Sequence, residues 1–268
     1  MKLVDIQIRE FGDIELLDPE SHEIGFKDIC ILKTDYGMDY GRVLSKTKVS
    51  NRVQENAIGL KIMRKATPSD LEQIAQNRIR VKEALEICRN TVNHHKLPMR
   101  VLAGEFSFDR HKLVFYFTAP GRIDFRNLLP DLAASFKTRI DLRQIGARNE
   151  AKIIGGIAPC GKTQVCCTQF MKSFDTITTK MAKVQKLPVH QDKLLGLCGQ
   201  LKCCLKFELD TYEELSKNLP KEGTRVSTKA GRGYILAQNI LRQSLTIRLE
   251  DDRQMDFPLN EIHVLREG

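Results

Sequence analysis

The order in which hydrophobic periodicity changes between residues 61 and 145 narrows the fold more than any other feature of this chain. "LKIMRK" (60–65) reads as a strand. Ser69-Asp70-Leu71-Glu72 has the form of a capping box, in which the serine oxygen accepts from a free backbone N–H while Glu72 reaches back. The helix that it opens is predicted to run to about His94, with Leu71, Ile74, Ala75, Leu85, Cys88 and Val92 at apolar positions. "MRVLAGEFSF" and "KLVFYFT" follow as strands joined by the polar turn "DRH". "DFRNLLPDLAASF" is predicted as a helix interrupted or bent at Pro130, and "RIDLRQI" as a last strand. The succession β-α-β-β-α-β is that of a split-βαβ, ferredoxin-like core, which places the chain in the α+β class.

Both ends change cadence. Residues 1–60 hold "VDIQI", "DICILKT" and "DYGMDYGRVLSK", short strands with glycines at the corners. From Gly223 onward, strands of four to six residues alternate with glycine or charged turns. Each end is expected to form a small SH3-like β-unit. The expected organisation is a small β-unit over 1–60 and a split-βαβ core over 61–145. A cysteine- and lysine-rich segment fills 146–215, and a small β-barrel 220–268. Hydrophobic residues make up 41% of the 268 and charged residues 29%, the balance of a soluble globular protein. No apolar run approaches membrane-spanning length, and "MKLVDIQIRE" lacks the apolar stretch of a secretory signal, so a cytoplasmic location is expected.

Six of the eight cysteines fall within forty-five residues. Cys160, Cys166 and Cys167 form C-x5-C-C; Cys198, Cys203 and Cys204 form C-x4-C-C. Disulfides do not suit a cytosolic protein of this size. Nearby lysines are expected to lower the thiol pKa values, and thiolate is the form that binds metal. Sulfur ligands without paired histidines fit an iron–sulfur cluster or zinc. Adjacent cysteines diverge in direction, so one of each pair is free to face a core or a partner protein. A cysteine-rich core without metal accounts for the same residues. Cys30 and Cys88 sit in apolar runs and are expected to be packing residues. The six histidines are scattered, and no base stands beside Cys166 or Cys167 in the sequence, so no catalytic constellation emerges.

The formal charge of +9 favours a polyanionic partner, RNA or an acidic protein surface. Between Gly146 and Phe207 stand ten Lys/Arg, namely Arg148, Lys152, Lys162, Lys172, Lys180, Lys183, Lys186, Lys193, Lys202 and Lys206, against Glu150, Asp175 and Asp192. A solvated lysine-rich face would give the same count. Trp is absent and 6% of residues are aromatic, so base-stacking surfaces are scarce.

Gly156-Ile157-Ala158-Pro159-Cys160-Gly161-Lys162-Thr163 also satisfies G-x4-G-K-[ST], the P-loop pattern. "AKIIG" would supply the preceding strand and "TQVCCTQFMKSF" the following helix. Against this stand the lack of a later strand ending in a metal-binding Asp and the lack of successive βα units. The recurrence of Cys-Gly at Cys198-Gly199 without Lys-Thr points instead to cysteine chemistry.

The stretch 139–215, with its Arg-Gln-Ile-Gly (143–146), Lys-Met-Ala-Lys (180–183) and Cys-Gly-x-x-x-Cys-Cys-Leu-Lys (198–206) elements, closely resembles the bacterial RicT (YaaT) proteins. Their shared region is the PSP-one C-terminal domain, which the resemblance places on 146–215. "DYGMDYGRVLSK" (35–46) and "GTRVSTKAGRGYILAQNIL" (223–241) extend the likeness weakly. It implies a non-catalytic cytoplasmic adaptor that assembles with RicA-like and RicF-like proteins. The complex carries 4Fe–4S clusters and acts with RNase Y in maturing mRNA, with effects on sporulation. The six clustered cysteines would then ligate together with partner subunits, and Arg148, Lys152, Lys162, Lys180, Lys183, Lys202 and Lys206 would meet RNA or a partner. One departure concerns Cys160: five residues separate it from Cys166, where the family motif has four. A zinc-containing RNA-binding module and a P-loop nucleotide-binding protein are the alternatives.

Overall fold

The computed structural model of this protein describes residues 2–265 except 21, 46–47, 50–58, 170, 172–175 and 189–190. Lys172, Asp175 and His190 therefore lie outside the described residues. The chain divides into two compact units, Met1–Gly156 and Ile157–Gly268.

The first unit begins with β1 (Lys2–Ile8), β2 (Ile14–Leu17), β3 (Ile29–Thr34), β4 (Gly37–Val43), β5 (Lys48–Val49) and β6 (Lys61–Lys65). They form one antiparallel sheet in the order β2-β1-β4-β3-β6, with β5 on β1. Alternation sends Val4, Ile6, Leu32 and Val43 to one face, where Leu17 and Ile62 complete a core. Ile31 and Tyr40 point to the other face and meet Ile74 of α1 (Pro68–His94). After α1 come β7 (Arg100–Phe106), β8 (Lys112–Thr118), α2 (Leu128–Phe136), β9 (Arg139–Gln144) and α3 (Ala147–Ile154).

At twenty-seven residues, α1 is about 40 Å long and serves two sheets. Ile74 packs on the first, while Ala84, Cys88 and Val92 pack on Val101, Leu113 and Phe115 of the second, with Leu128 and Leu132 of α2. Each of these buried Ile, Val, Leu and Phe side chains contributes about 1.5–3 kcal/mol relative to exposure. Cys30 and Cys88 are fully buried, and burial pushes their thiols up to about 11 and about 12. Neither has room for ligand chemistry; both pack cores.

The expected split-βαβ sheet does not form. β6, predicted as its first strand, pairs with β3 of the N-terminal sheet. The second sheet has the order β7-β8-β9, with β8 and β9 directly paired in parallel and α2 as their crossover. The reason lies in β6 itself: Ile62 is its one buried residue, while Lys61, Met63, Arg64 and Lys65 are exposed. Such a strand suits a sheet edge and not the centre of a covered sheet.

Two local expectations also shift. The helix cap is Thr67, not Ser69, and the reciprocal pair is Thr67 with Asp70. Pro68 decides this, because proline suits the first helical position and pushes the residue before it to extended backbone, the cap conformation; Thr67 has φ −85° and ψ 166°. Pro130 bends nothing, since α2 starts at Leu128 and proline in a first turn forfeits no helical hydrogen bond.

The second unit contains four short helices, α4 (Cys166–Gln169), α5 (Thr179–Val184), α6 (Gln191–Leu194) and α7 (Cys204–Ser216) among the described residues. Then follow β10 (Arg225–Thr228), β11 (Gly231–Asn239), β12 (Ser244–Leu249), β13 (Gln254–Pro258) and β14 (His263–Val264), with a 3-10 turn at Leu259–Glu261. Their sheet order is β13-β12-β11-β10-β14, antiparallel throughout. Val226, Ile235, Leu245, Ile247 and Phe257 fill its inner face, joined by Leu219 and by Tyr212 and Leu215 from the end of α7. Gly233 is required here: a Cβ would stand 2.2 Å from the Arg248 carbonyl oxygen across the strand pair. No helix among the described residues is long and apolar enough to cross a membrane.

Asp70 yields a pH-dependent test of the α1 cap. Hydrogen bonds from Arg64 first, then from the backbone N–H and hydroxyl of Thr67, hold its carboxyl well below the ordinary carboxylate range, against desolvation. A depressed folded pKa stabilises above the unfolded value of about 3.9 and loses that contribution as pH falls toward the folded value. Asp70→Asn is expected to flatten the acid limb of stability against pH, and Thr67→Ala to cost about 1 kcal/mol. Thermal unfolding between neutral pH and pH ~3 reads both; an unchanged acid limb for Asp70→Asn would refute the assignment.

Candidate metal centre

Two turns of the second unit have the same architecture. In the first, the Ala158 N–H donates to the Lys162 carbonyl (2.9 Å) and the Gly161 N–H to the Ala158 carbonyl (2.8 Å). In the second, the Gly196 N–H donates to the Gln200 carbonyl (2.8 Å) and the Gly199 N–H to the Gly196 carbonyl (3.0 Å). Cys160 and Cys198 take the third position of their turns, Gly161 and Gly199 the fourth. Those glycines have φ of 84° and 69°, the left-handed region that favours a residue without Cβ. Each turn then feeds a helical start at the residue just before the cysteine pair. Thr168 N–H donates to the Val165 carbonyl (2.9 Å), and Leu205 N–H to the Lys202 carbonyl (3.2 Å).

This repeat shows where the extra residue of the first motif goes. Lys162-Thr163-Gln164-Val165 connects turn to pair in one copy, Gln200-Leu201-Lys202 in the other. The insertion lies in the connector, so Cys160 keeps the turn position of Cys198.

The pairs are oriented differently from within. Cys167 is 5% exposed, whereas Cys166, Cys198, Cys203 and Cys204 are half-buried and Cys160 is exposed. A small core of Ala182, Leu194 and Leu205, flanked by Ile177, Met181 and Leu201, lies behind the second turn. Gln185, itself buried, donates to the Leu205 carbonyl (2.6 Å) and ties α5 to the first turn of α7.

The thiols act on one another. Burial pushes the Cys166 thiol up, Cys203 and Cys160 push it further, and Lys162 pulls it down. Burial likewise raises Cys204, followed by Glu208, Cys166 and Cys203, with Lys202 opposing. The expectation that lysines would lower these thiols is overturned for Cys166 and Cys204, because desolvation and neighbouring sulfurs outweigh the ammonium groups. Cys160, Cys166, Cys203 and Cys204 thus form one electrostatically coupled set. Among the described residues, no three Cys, His, Asp or Glu side chains converge closely enough to hold a single metal ion. Thiolates on a 4Fe–4S cluster stand further apart than the ligands of one tetrahedral ion, since each binds a different iron. The set offers cysteine sulfur without paired histidines, the donor type that zinc and iron–sulfur centres share.

The seven basic candidates divide between the units. Arg148 and Lys152 belong to α3 of the first. Lys162, Lys180 and Lys183 are exposed on the second, and Lys206 is half-buried. Lys202 is partly committed, its ammonium donating to the Lys193 carbonyl (2.6 Å), and Lys186 pairs with Glu222 (2.9 Å).

The P-loop reading fails on geometry. The residues predicted as its strand form helix α3, and the amides of Ala158 and Gly161 bond to carbonyls of their own turn. Helix α4 begins only at Cys166, so Lys162-Thr163 opens no helix at whose N-terminus a phosphate would rest.

Residues 60–145 match the family model described as the PSP1 C-terminal conserved region, and residues 176–219 that of the PSP1-like protein third domain. The conserved region thus falls upstream of the 146–215 segment where the sequence resemblance placed it. Stage 0 sporulation protein YaaT of Bacillus subtilis is 41% identical over 270 residues, spanning 99% of this chain and 96% of that protein. An uncharacterised protein of Schizosaccharomyces pombe is 31% identical over 180 residues, 55% of this chain and 24% of its own length. Protein PSP1 of Saccharomyces cerevisiae is 46% identical over 50 residues, 19% of this chain and 6% of its own. No solved structure matches the chain.

In metal-free protein, alkylation of Cys166 and Cys204 is expected to rise with pH along curves displaced above that of an ordinary free thiol, about 8.5. Lys162→Ala should displace the Cys166 curve further upward, and Glu208→Gln should lower that of Cys204. Site-resolved mass spectrometry after timed alkylation measures both; a Cys166 curve below the free-thiol value would contradict the mutual repulsion.

Proposed function

Because the chain belongs to the RicT (YaaT) family of PSP1-region proteins, we propose that it is a non-catalytic cytoplasmic adaptor. On this reading it holds a 4Fe–4S cluster jointly with RicA-like and RicF-like partners and regulates RNase Y-type mRNA processing. Sporulation control enters through the name of the Bacillus relative. The observation that supports the proposal is the pair of equivalent turns, each followed by a cysteine pair, together with the action of Cys160 and Cys203 on Cys166 and of Cys166 and Cys203 on Cys204.

Cys166, Cys203 and Cys204 are the principal ligands on this account, with Cys160 the exposed fourth. Cys198 occupies the matching turn position and is the sulfur available to a shared second centre. Cys167, buried, anchors α4. When bound, such a cluster supplies a redox-active iron centre whose ligation joins chains. The protein's own part is to present the thiols at a surface, shield Cys166 and Cys204 from water, and offer Lys162, Lys180, Lys183 and Lys206 to an anionic partner. Arg148 and Lys152 serve the same purpose on the first unit, and Lys202 steadies the second turn. Residues 220–268 serve as a small SH3-like barrel, a reading supported by five antiparallel strands with a 3-10 turn before the last.

Anaerobic purification with the candidate partners tests the reading. Iron and sulfide in matching amounts with broad absorbance near ~400 nm are expected. Cys166→Ser and Cys203→Ser should each lower the iron content severalfold, while Cys30→Ser and Cys88→Ser should leave it unchanged. Stoichiometric zinc without iron would replace the cluster with the zinc module.

A further inference from the structure

Five tyrosines and no tryptophan make up most of this chain's capacity to stack bases with a polar rim. Tyr40 and Tyr116 are buried, and Tyr212 packs against the core of the C-terminal sheet. Tyr36 and Tyr234 stand 54% and 46% exposed, and each lies under an arginine. At Tyr234 the guanidinium of Arg225 is 5.5 Å from the ring centroid and within 3.7 Å of Glu250. Across the strand pair, Arg248 is tied to Asp252. Those arginines carry their own anions.

Tyr36 differs. It sits at the tip between β3 and β4, where Arg139 lies 4.2 Å from the ring centroid and the Lys112 ammonium 5.3 Å. The tip is fixed in place. Met38 N–H donates to Asp109 (2.6 Å), and Asp109 also takes the Ser107 hydroxyl (2.7 Å), which docks the β7–β8 turn on the hairpin. Gly37, at φ 122°, admits this contact, since a Cβ would stand 2.2 Å from the Asp109 carboxylate. The Arg139 N–H in turn donates to the His111 carbonyl (3.2 Å) and holds the start of β9 beside the ring. With both cations in place Tyr36 is still 54% exposed.

Charge is the second, independent observation. Lys33 and Lys61 stand directly opposite each other in the β3–β6 register, an arrangement that costs stability without an anion. Neither they, Lys137 nor Arg139 forms an ion pair among the described residues. Of the nearby acids, Asp109 is spent on the turn, Asp141 on Lys112 (3.1 Å) and Arg143 (3.2 Å), and Asp35 points at Gly59.

We infer that Tyr36, backed by Arg139, is a base-stacking platform for single-stranded RNA, with Lys33, Lys61 and Lys137 taking flanking phosphates. Stacking on a tyrosine face with guanidinium support is how sequence-tolerant single-strand sites work. The choice of RNA over DNA rests on the proposed role in mRNA processing; the platform itself lies in the first unit and needs no cysteine.

Fluorescence anisotropy of the full chain with a labelled oligouridine of about 12 nucleotides in roughly 0.1 M salt tests it. Tyr36→Ala is expected to weaken binding about 5- to 100-fold, Tyr36→Phe to bind nearly as wild type, and raised salt to weaken all forms. Arg139→Gln carries the same expectation as Tyr36→Ala, should the latter lower Tm. Cys166→Ser is expected to bind RNA normally, so loss of iron without loss of RNA affinity separates this site from the metal centre. Wild-type affinity in both Tyr36→Ala and Arg139→Gln, absence of binding, or equal binding of duplex RNA would overturn the platform. Equal binding of single-stranded DNA would overturn the choice of RNA, and Tyr36-dependent capture of polyglutamate would replace it with an acidic protein partner.

Discussion

Two five-residue turns, each closed by the same pair of backbone hydrogen bonds, are the constraint on which the candidate centre depends. Left-handed glycines at Gly161 and Gly199 let the chain reverse immediately after a cysteine. A helical start then carries the cysteine pair that follows each turn. Backbone hydrogen bonds fix these positions before any ligand arrives, so a ligand joining the sulfurs would meet a partly ordered site and spare some of the ordering cost.

The electrostatics of the set explain why it invites a counter-charge. Lysines were expected to make the thiols acidic, yet Cys166 and Cys204 are raised. Lys162, on the exposed connector, opposes the shift of Cys166 by more than Cys160 adds to it but by less than burial and Cys203, and Lys202, which shares its ammonium with a carbonyl, is the smallest influence named on Cys204. Burial and neighbouring sulfur act strongly at short range. Metal binding would displace the protons that burial retains, coupling occupancy to pH and to the closeness of the sulfurs.

Much of the first unit was legible in the sequence, because long periodic segments announce themselves. The strands at Arg100–Phe106 and Lys112–Thr118 and the end of α1 at His94 stand where alternation and helical spacing place them. Pairing was harder. Nothing local in "LKIMRK" tells which sheet it joins; its exposed Lys61, Arg64 and Lys65 fix it as an edge only once the rest is folded. Ser69-x-x-Glu72 mimics a capping box two residues inside the true cap, while Pro68 holds the decisive information. At the metal centre the residue types were readable and the shared turn was not. A one-residue difference in spacing concealed a repeat that only backbone hydrogen bonds disclose. The Tyr36 site was beyond reach, since it joins a hairpin tip to the start of β9, over a hundred positions away.

The central claim is that the paired turns present one cluster-binding set of thiols. Mössbauer spectroscopy of iron-57-enriched protein, purified anaerobically with its partners, addresses it most directly. The spectrum of a 4Fe–4S cluster is expected in the wild type and its loss in the Cys166→Ser/Cys203→Ser double variant. A cluster spectrum unchanged in that variant, or no iron in the wild-type complex, would contradict the account.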